Sequence, residues 1–258
     1  HLPEYDAEKD SISLTYFDAK NDTIKSYSTK GGKDKLNVKE GANQFNWDMT
    51  YDGAERLPGM ILWWASTQGP QQIPGEYTVK LNVNGTDYTQ PYTVLADPRS
   101  EATVADMQAQ FDFISDVNET VDHAHQSIKK IRNINAQLSS FEKQYKDNPD
   151  TKELREKSKT LREDLEEIEK ALYQTKNRSG QDPLNFPIKL TNKLAHLNSL
   201  VSMGDFAPTD QDIAVKNELT AKIDAELNKF DTLVSDEVTA FNEAFNAMKL
   251  NYLFVEEE

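Results

Sequence analysis

Apolar side chains recur at every second residue ahead of Asp97-Pro98 and at every third or fourth residue beyond it. Period two belongs to strands and a period near 3.6 to helices. The switch therefore predicts two domains of different class, residues 1–97 all-β and residues 98–258 all-α. Composition changes at the same place. All three Trp and eight of the ten Gly lie in the first 85 residues, whereas Ala, Leu, Lys, Glu, Gln and Asn dominate after Asp97. Proline restrains the residue before it to extended geometry and can itself open a helix, so this dipeptide is the expected junction.

The amino-terminal part reads as an immunoglobulin-like sandwich. Ser11–Phe17 alternates, with Ile12, Leu14 and Tyr16 on one face, and a turn at Asp18–Asp22 leads into a second strand over Thr23–Ser28. Gln44–Tyr51 sets Phe45, Trp47, Met49 and Tyr51 at strict period two, the strongest strand signal in the chain. These aromatics are expected between two sheets, with Asn43 and Asp48 pointing the other way. Tyr77, Val79, Leu81 and Val83 alternate into Asn84-Gly85, a pair that supplies the positive φ angles of a type I′ hairpin turn. Pro91 has no N–H to give a ladder, which places the return strand Thr86–Leu95 at an edge or on a bulge. About six or seven such strands fit the sandwich.

The carboxy-terminal part reads as an antiparallel bundle of three or four long helices. One stripe runs Phe111, Ile114, Val117, Val121, Ala124, Ile128, Ile131, Ile134, Leu138, Phe141, Tyr145 and stops at Asn148-Pro149. Asp150 with Glu153 resembles a capping box, and Leu154, Ser158, Leu161, Leu165, Ile168 and Leu172 form the next seam. A shorter helix carries Leu190, Leu194, Leu197, Leu200 and Val201. A last one, capped by Thr209, carries Leu219, Ile223, Leu227, Phe230, Val234, Val238, Phe241, Phe245 and Met248. Four columns and a three-column packing, with the second and third helices sharing one side, both satisfy the lengths.

Chemistry is sparse. With 29 basic and 44 acidic residues the net charge is −15, and neither part offers a basic face, so nucleic acid is not an expected partner. The chain has no Cys, which removes disulfides and thiolate metal ligands, and its longest apolar run, Met60–Ala65, is too short to span a bilayer. On a helix His123 and His125 point about 200° apart and cannot chelate together, and His125 falls at the edge of the core stripe. His196 stands alone, and no metal or cofactor site is expected. Glu163, Asp164, Glu166 and Glu167, interleaved with lysines, form a solvated helix face, and Asp210 and Asp212 suit the first turn of a helix. No catalytic constellation emerges. Asn-x-Ser/Thr tripeptides at Asn21, Asn84, Asn118 and Asn177 and the acidic end Glu256–Glu258, read as a frayed tail, add no chemistry. Trp63-Trp64 is the feature to single out: on a strand one ring faces inward and the other outward, where it could stack on a sugar or seat a partner. With nearby Tyr51 these form the candidate ligand or partner surface.

The segment Gly41-Ala42-Asn43-Gln44-Phe45-Asn46-Trp47-Asp48-Met49-Thr50-Tyr51-Asp52-Gly53, followed by Pro74-Gly75-Glu76-Tyr77-Thr78-Val79, resembles a recurring motif. It is similar to the carboxy-terminal region of bacterial BNR/Asp-box, sortilin-like β-propeller proteins often labelled glycosyl hydrolases. Tyr88-Thr89-Gln90-Pro91, Asp97-Pro98-Arg99 and Met107–Phe111 continue the likeness, which covers residues 41–115. The β part is also similar to hook-capping-type immunoglobulin-like domains. The resemblance implies a non-catalytic accessory module of an exported, extracytoplasmic protein, periplasmic, outer-membrane-associated or secreted. Its partner would be an upstream propeller or another protein, with a glycan on the aromatics as the alternative ligand. His1-Leu2-Pro3 fits the interior of a longer protein.

Overall fold

A computed structural model describes residues 1–32 and 34–250, so the acidic end Glu256–Glu258 lies outside the described residues. The architecture is β then α. Four strands, β1 (Ile12–Phe17), β2 (Thr23–Ser28), β3 (Gly75–Val83) and β4 (Thr86–Val94), precede helices α1 (Val104–Gln144), α2 (Lys152–Leu172), α3 (Leu190–Val201), α4 (Asp210–Leu233) and α5 (Thr239–Ala247). Strands end at Val94 and helices begin at Val104, but each of the two compact units is assembled from three stretches of chain. The first takes His1–Ala54, Gln68–Asn118 and Val201–Thr209; the second takes Glu55–Thr67, Glu119–Leu200 and the residues from Asp210 on.

In the first unit the strands form one antiparallel sheet in the order β2-β1-β3-β4. Asn84 and Gly85, at φ 51° and 88°, make the type I′ turn that the sequence predicts between β3 and β4. Pro91 stands on β4, an edge strand as expected. Register places Leu14 opposite Leu81 and Tyr27, Tyr16 opposite Val79, and Tyr77 opposite Tyr92, so apolar and aromatic side chains share one face. Ser13, Thr15, Lys80, Asn82 and Thr89 share the other.

Residues 44–51 do not form the strand their alternation predicts. The segment crosses the aromatic face as irregular chain: the Trp47 ring lies 3.9 Å from Tyr16, and Phe45 lies 4.6 Å from Tyr27. Met49 at φ 61° breaks the extended run, and Thr50 makes only a single bridge to Gln71. Asn43 and Asp48 bond locally, to Lys39 and Gly41 and to Thr50 respectively. Covered by these rings, the Tyr16 hydroxyl is desolvated and its pKa pushed up to about 12. The close approach of two chain segments demands Gly69, because a Cβ there would stand 2.1 Å from the Tyr51 carbonyl oxygen. Helix α1 starts later than the Asp97-Pro98 junction, where Thr103 and Asp106 cap it reciprocally: Thr103 N–H donates to the Asp106 carboxylate and Asp106 N–H to the Thr103 hydroxyl.

In the second unit the stripes read from the sequence are the buried ones. Val121, Ala124, Ile128 and Ile131 of α1 are fully buried, as are Leu165 and Leu172 of α2 and Ile223 of α4. Helix α2 runs back along α1: the Ser158 hydroxyl donates to Glu142, Arg162 pairs with Glu142, and Arg132 pairs with Glu169. Phe141, Tyr145 and Leu154 form a cluster with Phe241 and Phe245 of α5. Three details differ from expectation. The restart before α2 is capped by Asn148, whose side chain accepts from Asp150 N–H, rather than by Asp150 itself. Leu200 is exposed. The last helix is interrupted by a π turn at Val234–Val238, which no periodicity argument anticipates.

Trp47→Ala is expected to cost about 2–4 kcal/mol in denaturant unfolding, slightly less than for a fully buried tryptophan. Gly69→Ala should cost at least about 1–3 kcal/mol through forced backbone movement. A loss under about 1 kcal/mol for Trp47→Ala would show that its packing on Tyr16 contributes little.

Candidate functional site

Glu55–Thr67 in the second unit has no regular secondary structure, and main-chain N–H and C=O groups in such a segment need partners that a helix or sheet would otherwise supply. Side chains of the surrounding helices provide them. Glu55 N–H donates to the Asp122 carboxylate at 2.7 Å, and the Glu55 carbonyl meets His125 Nδ1 at 2.6 Å. Ile61 N–H donates to the Tyr173 hydroxyl at 2.9 Å. Asn192 pairs with both polar groups of residue 63: its Oδ1 accepts from Trp63 N–H at 2.6 Å and its Nδ2 donates to the Trp63 carbonyl at 2.9 Å. His196 Nδ1 meets the Trp64 carbonyl, Ser66 N–H donates to the Ala195 carbonyl, and Asn198 Nδ2 donates to the Ser66 carbonyl. The segment is a strap tied down at five of its thirteen residues.

The strap determines where the two tryptophans go. They do not stand on opposite faces of a strand, which is the arrangement that the sequence predicts. Trp64 sits at φ 50°, a conformation disfavoured for a bulky residue, and this bend brings its ring alongside that of Trp63, with centroids 6.4 Å apart and planes at 30°. Trp63 is half-buried while Trp64 is 73% exposed. The pair is an aromatic platform on the surface of the second unit. Tyr51, the third candidate, belongs to the first unit, where it packs edge-on against Phe111 at 4.8 Å. Burial raises its hydroxyl to about 12.

Two histidines, His125 and His196, are ties of the strap. His125 is not at the edge of the core but fully buried. Burial holds its pKa below the ordinary value, an effect larger than the opposing pull of the Glu55 carbonyl and of Asp122; Arg56 and Arg132 push the same way as burial. The neutral ring donates from Nδ1 to Glu55, and Nε2 has no partner among the described residues. His123 is exposed on the same helix. Among the described residues no three His, Asp or Glu side chains gather as a metal site. Glu166 and Glu167 pair with Lys170 on the α2 surface, and Asp210 and Asp212 occupy the first turn of α4. Asn192 lies 129 residues from its partner Trp63, and no local sequence signal marks it as a tie of the strap. No helix among the described residues is long and apolar enough to cross a membrane. No family model, curated protein or solved structure matches the chain.

Because folding lowers the His125 pKa, the unfolded chain binds the extra proton first as pH falls. Stability contributed by the neutral ring is fully present above the ordinary imidazole value and declines below it, with a slope of at most about 1.4 kcal/mol per pH unit for one proton. Melting followed from pH 8 to pH 5 should show this decline, and His125→Gln should flatten it. A profile identical in the two proteins would show that the ring carries no such proton linkage.

Proposed function

We propose that the chain is a non-catalytic accessory module whose working surface is the Trp63–Trp64 platform, and that it attaches a propeller domain of the same protein or a separate protein partner. The exposure of Trp64 carries this reading. A large aromatic ring left in water gains nothing for stability, yet the backbone beneath it is held in a disfavoured conformation by Asn192 and His196. Strain maintained by several specific hydrogen bonds is characteristic of functional surfaces. The resemblance carried by residues 41–115 supports the accessory role and an extracytoplasmic location. On this reading the four-stranded sheet is an immunoglobulin-like domain whose missing layer is replaced by the irregular aromatic segment, and the helices form an antiparallel bundle.

A glycan is the second reading, favoured by the arrangement of the two rings. Neighbouring indoles inclined by 30° present a broad apolar surface on which the C–H face of a sugar can lie.

Tryptophan fluorescence tests both. If a glycan is the ligand, titration with soluble polysaccharides changes the emission, and Trp64→Ala abolishes the response. If the partner is a propeller, the emission of Trp64 shifts to the blue in a longer protein that includes that domain, with no polysaccharide present. Unchanged emission in both experiments would remove the platform from the function of this protein.

A further inference from the structure

The sheet of the first unit has two edges, and they are not alike. The edge formed by β2 is six residues long, carries Lys25, has a register shift opposite Tyr16 and Phe17, and is met at Ser28 by the chain at Asp34 and Leu36. Irregularity, a charge and a covering segment all keep an edge from pairing. The edge formed by β4 runs nine residues in unbroken register with β3. Which of its groups point outward follows from the pairing. Asn84 N–H donates to the Ser11 carbonyl, so the even-numbered residues of β3 bond towards β1 and the odd-numbered ones towards β4. Those odd-numbered residues stand opposite Thr86, Tyr88, Gln90, Tyr92 and Val94, which leaves Asp87, Thr89, Pro91 and Thr93 facing away from the sheet. Their N–H groups, which Pro91 lacks, and their carbonyls form a row on exposed residues, with no main-chain partner among the described residues.

A row of donors and acceptors at strand spacing is complementary to another extended chain. The side chains indicate which chain. Asp87 is the one charged residue of β4 and pairs with Lys80 at 3.5 Å, so this edge is locally neutral on a protein of net charge −15. A charged peptide finds no counter-charge there, whereas a second copy of the same strand needs none. Antiparallel pairing about a two-fold axis at Gln90 overlaps the whole of β4. Asp87 then meets Thr93 of the second copy through two hydrogen bonds, and Thr89 meets Pro91 through one, because proline has no N–H to return. On the aromatic face Tyr88, 59% exposed, comes to lie against Tyr92 of the second copy, and Gln90 meets its own equivalent. With the β2 edge obstructed, the association closes at two copies instead of propagating. We propose that this protein forms a two-fold dimer through β4, joining two sheets into one of eight strands.

Sedimentation equilibrium of the full chain from about 10 μM to about 1 mM should show monomer and dimer exchanging by mass action, as befits a small interface. Gln90→Lys, an exposed change that leaves the β3 ladder intact, sets like charges across the axis and should weaken the dimer at least about threefold. An equal mixture of Gln90→Lys and Gln90→Glu should restore it. The chain has no Cys, so Gln90→Cys can form a disulfide only with its copy, and the roughly 4.5 Å between Cα atoms of a non-hydrogen-bonded pair permits that bond. Mild oxidation should cross-link Gln90→Cys quickly and Thr86→Cys slowly, since the two copies of residue 86 lie at opposite ends of the paired strands. Trp64→Ala should associate like the parent chain, which separates this surface from the aromatic platform. A monomer at every concentration, undiminished association of Gln90→Lys, a mixture no better than either variant alone, equal cross-linking at the two positions, or loss of association in Trp64→Ala would overturn the assignment.

Discussion

The second unit depends on satisfying the main chain of a segment that has no ladder or helix of its own. Thirteen residues from Glu55 to Thr67 lie against helices, and each buried N–H or C=O left unpaired there would cost about as much as a lost hydrogen bond. Asp122, His125, Tyr173, Asn192, His196 and Asn198 provide the pairing. The arrangement links three helices through one strap. Asn192 can pair with residue 63 at both polar groups because a carboxamide offers a donor and an acceptor at the spacing of a peptide unit. Rigid attachment of the backbone is what allows a tryptophan to stand in water at a fixed orientation.

The first unit solves a different problem by different means. One face of its sheet is aromatic, and a single four-stranded sheet cannot cover itself. Cover comes from an irregular segment that contributes rings rather than a ladder: Trp47 over Tyr16 and Phe45 over Tyr27. Stability at this face comes from ring area and packing, with little main-chain pairing.

Long helices were legible because burial enforces their period over many turns. From Val117 to Phe141 every third or fourth residue of α1 is apolar, and nearly all are buried. The Asn84-Gly85 hairpin was legible because one dihedral requirement admits few residues. Residues 44–51 misled for a physical reason. Their alternation is real, but it reflects rings placed against a sheet face, where the backbone makes one bridge, Thr50 to Gln71, and no ladder. The strap and its platform were half visible: Trp63-Trp64 drew attention as a pair, but the left-handed bend at Trp64 has no glycine to announce it, and its ties come from helices far along the chain.

The π turn at Val234–Val238 has a consequence for how this sequence can vary. A wide turn holds one residue more than the α-helical path needs, and each residue along a helix advances the side-chain direction by about 100°. Removing a single position from the turn would return it to the α-helical path with Phe241 and Phe245 still facing Phe141 and Tyr145, whereas a deletion in the α-helix ahead of it would swing both rings away. Chain length is thus fixed less tightly in these five residues than in α4 before them, where the loss of one residue would act like a wrong gear tooth on everything that follows.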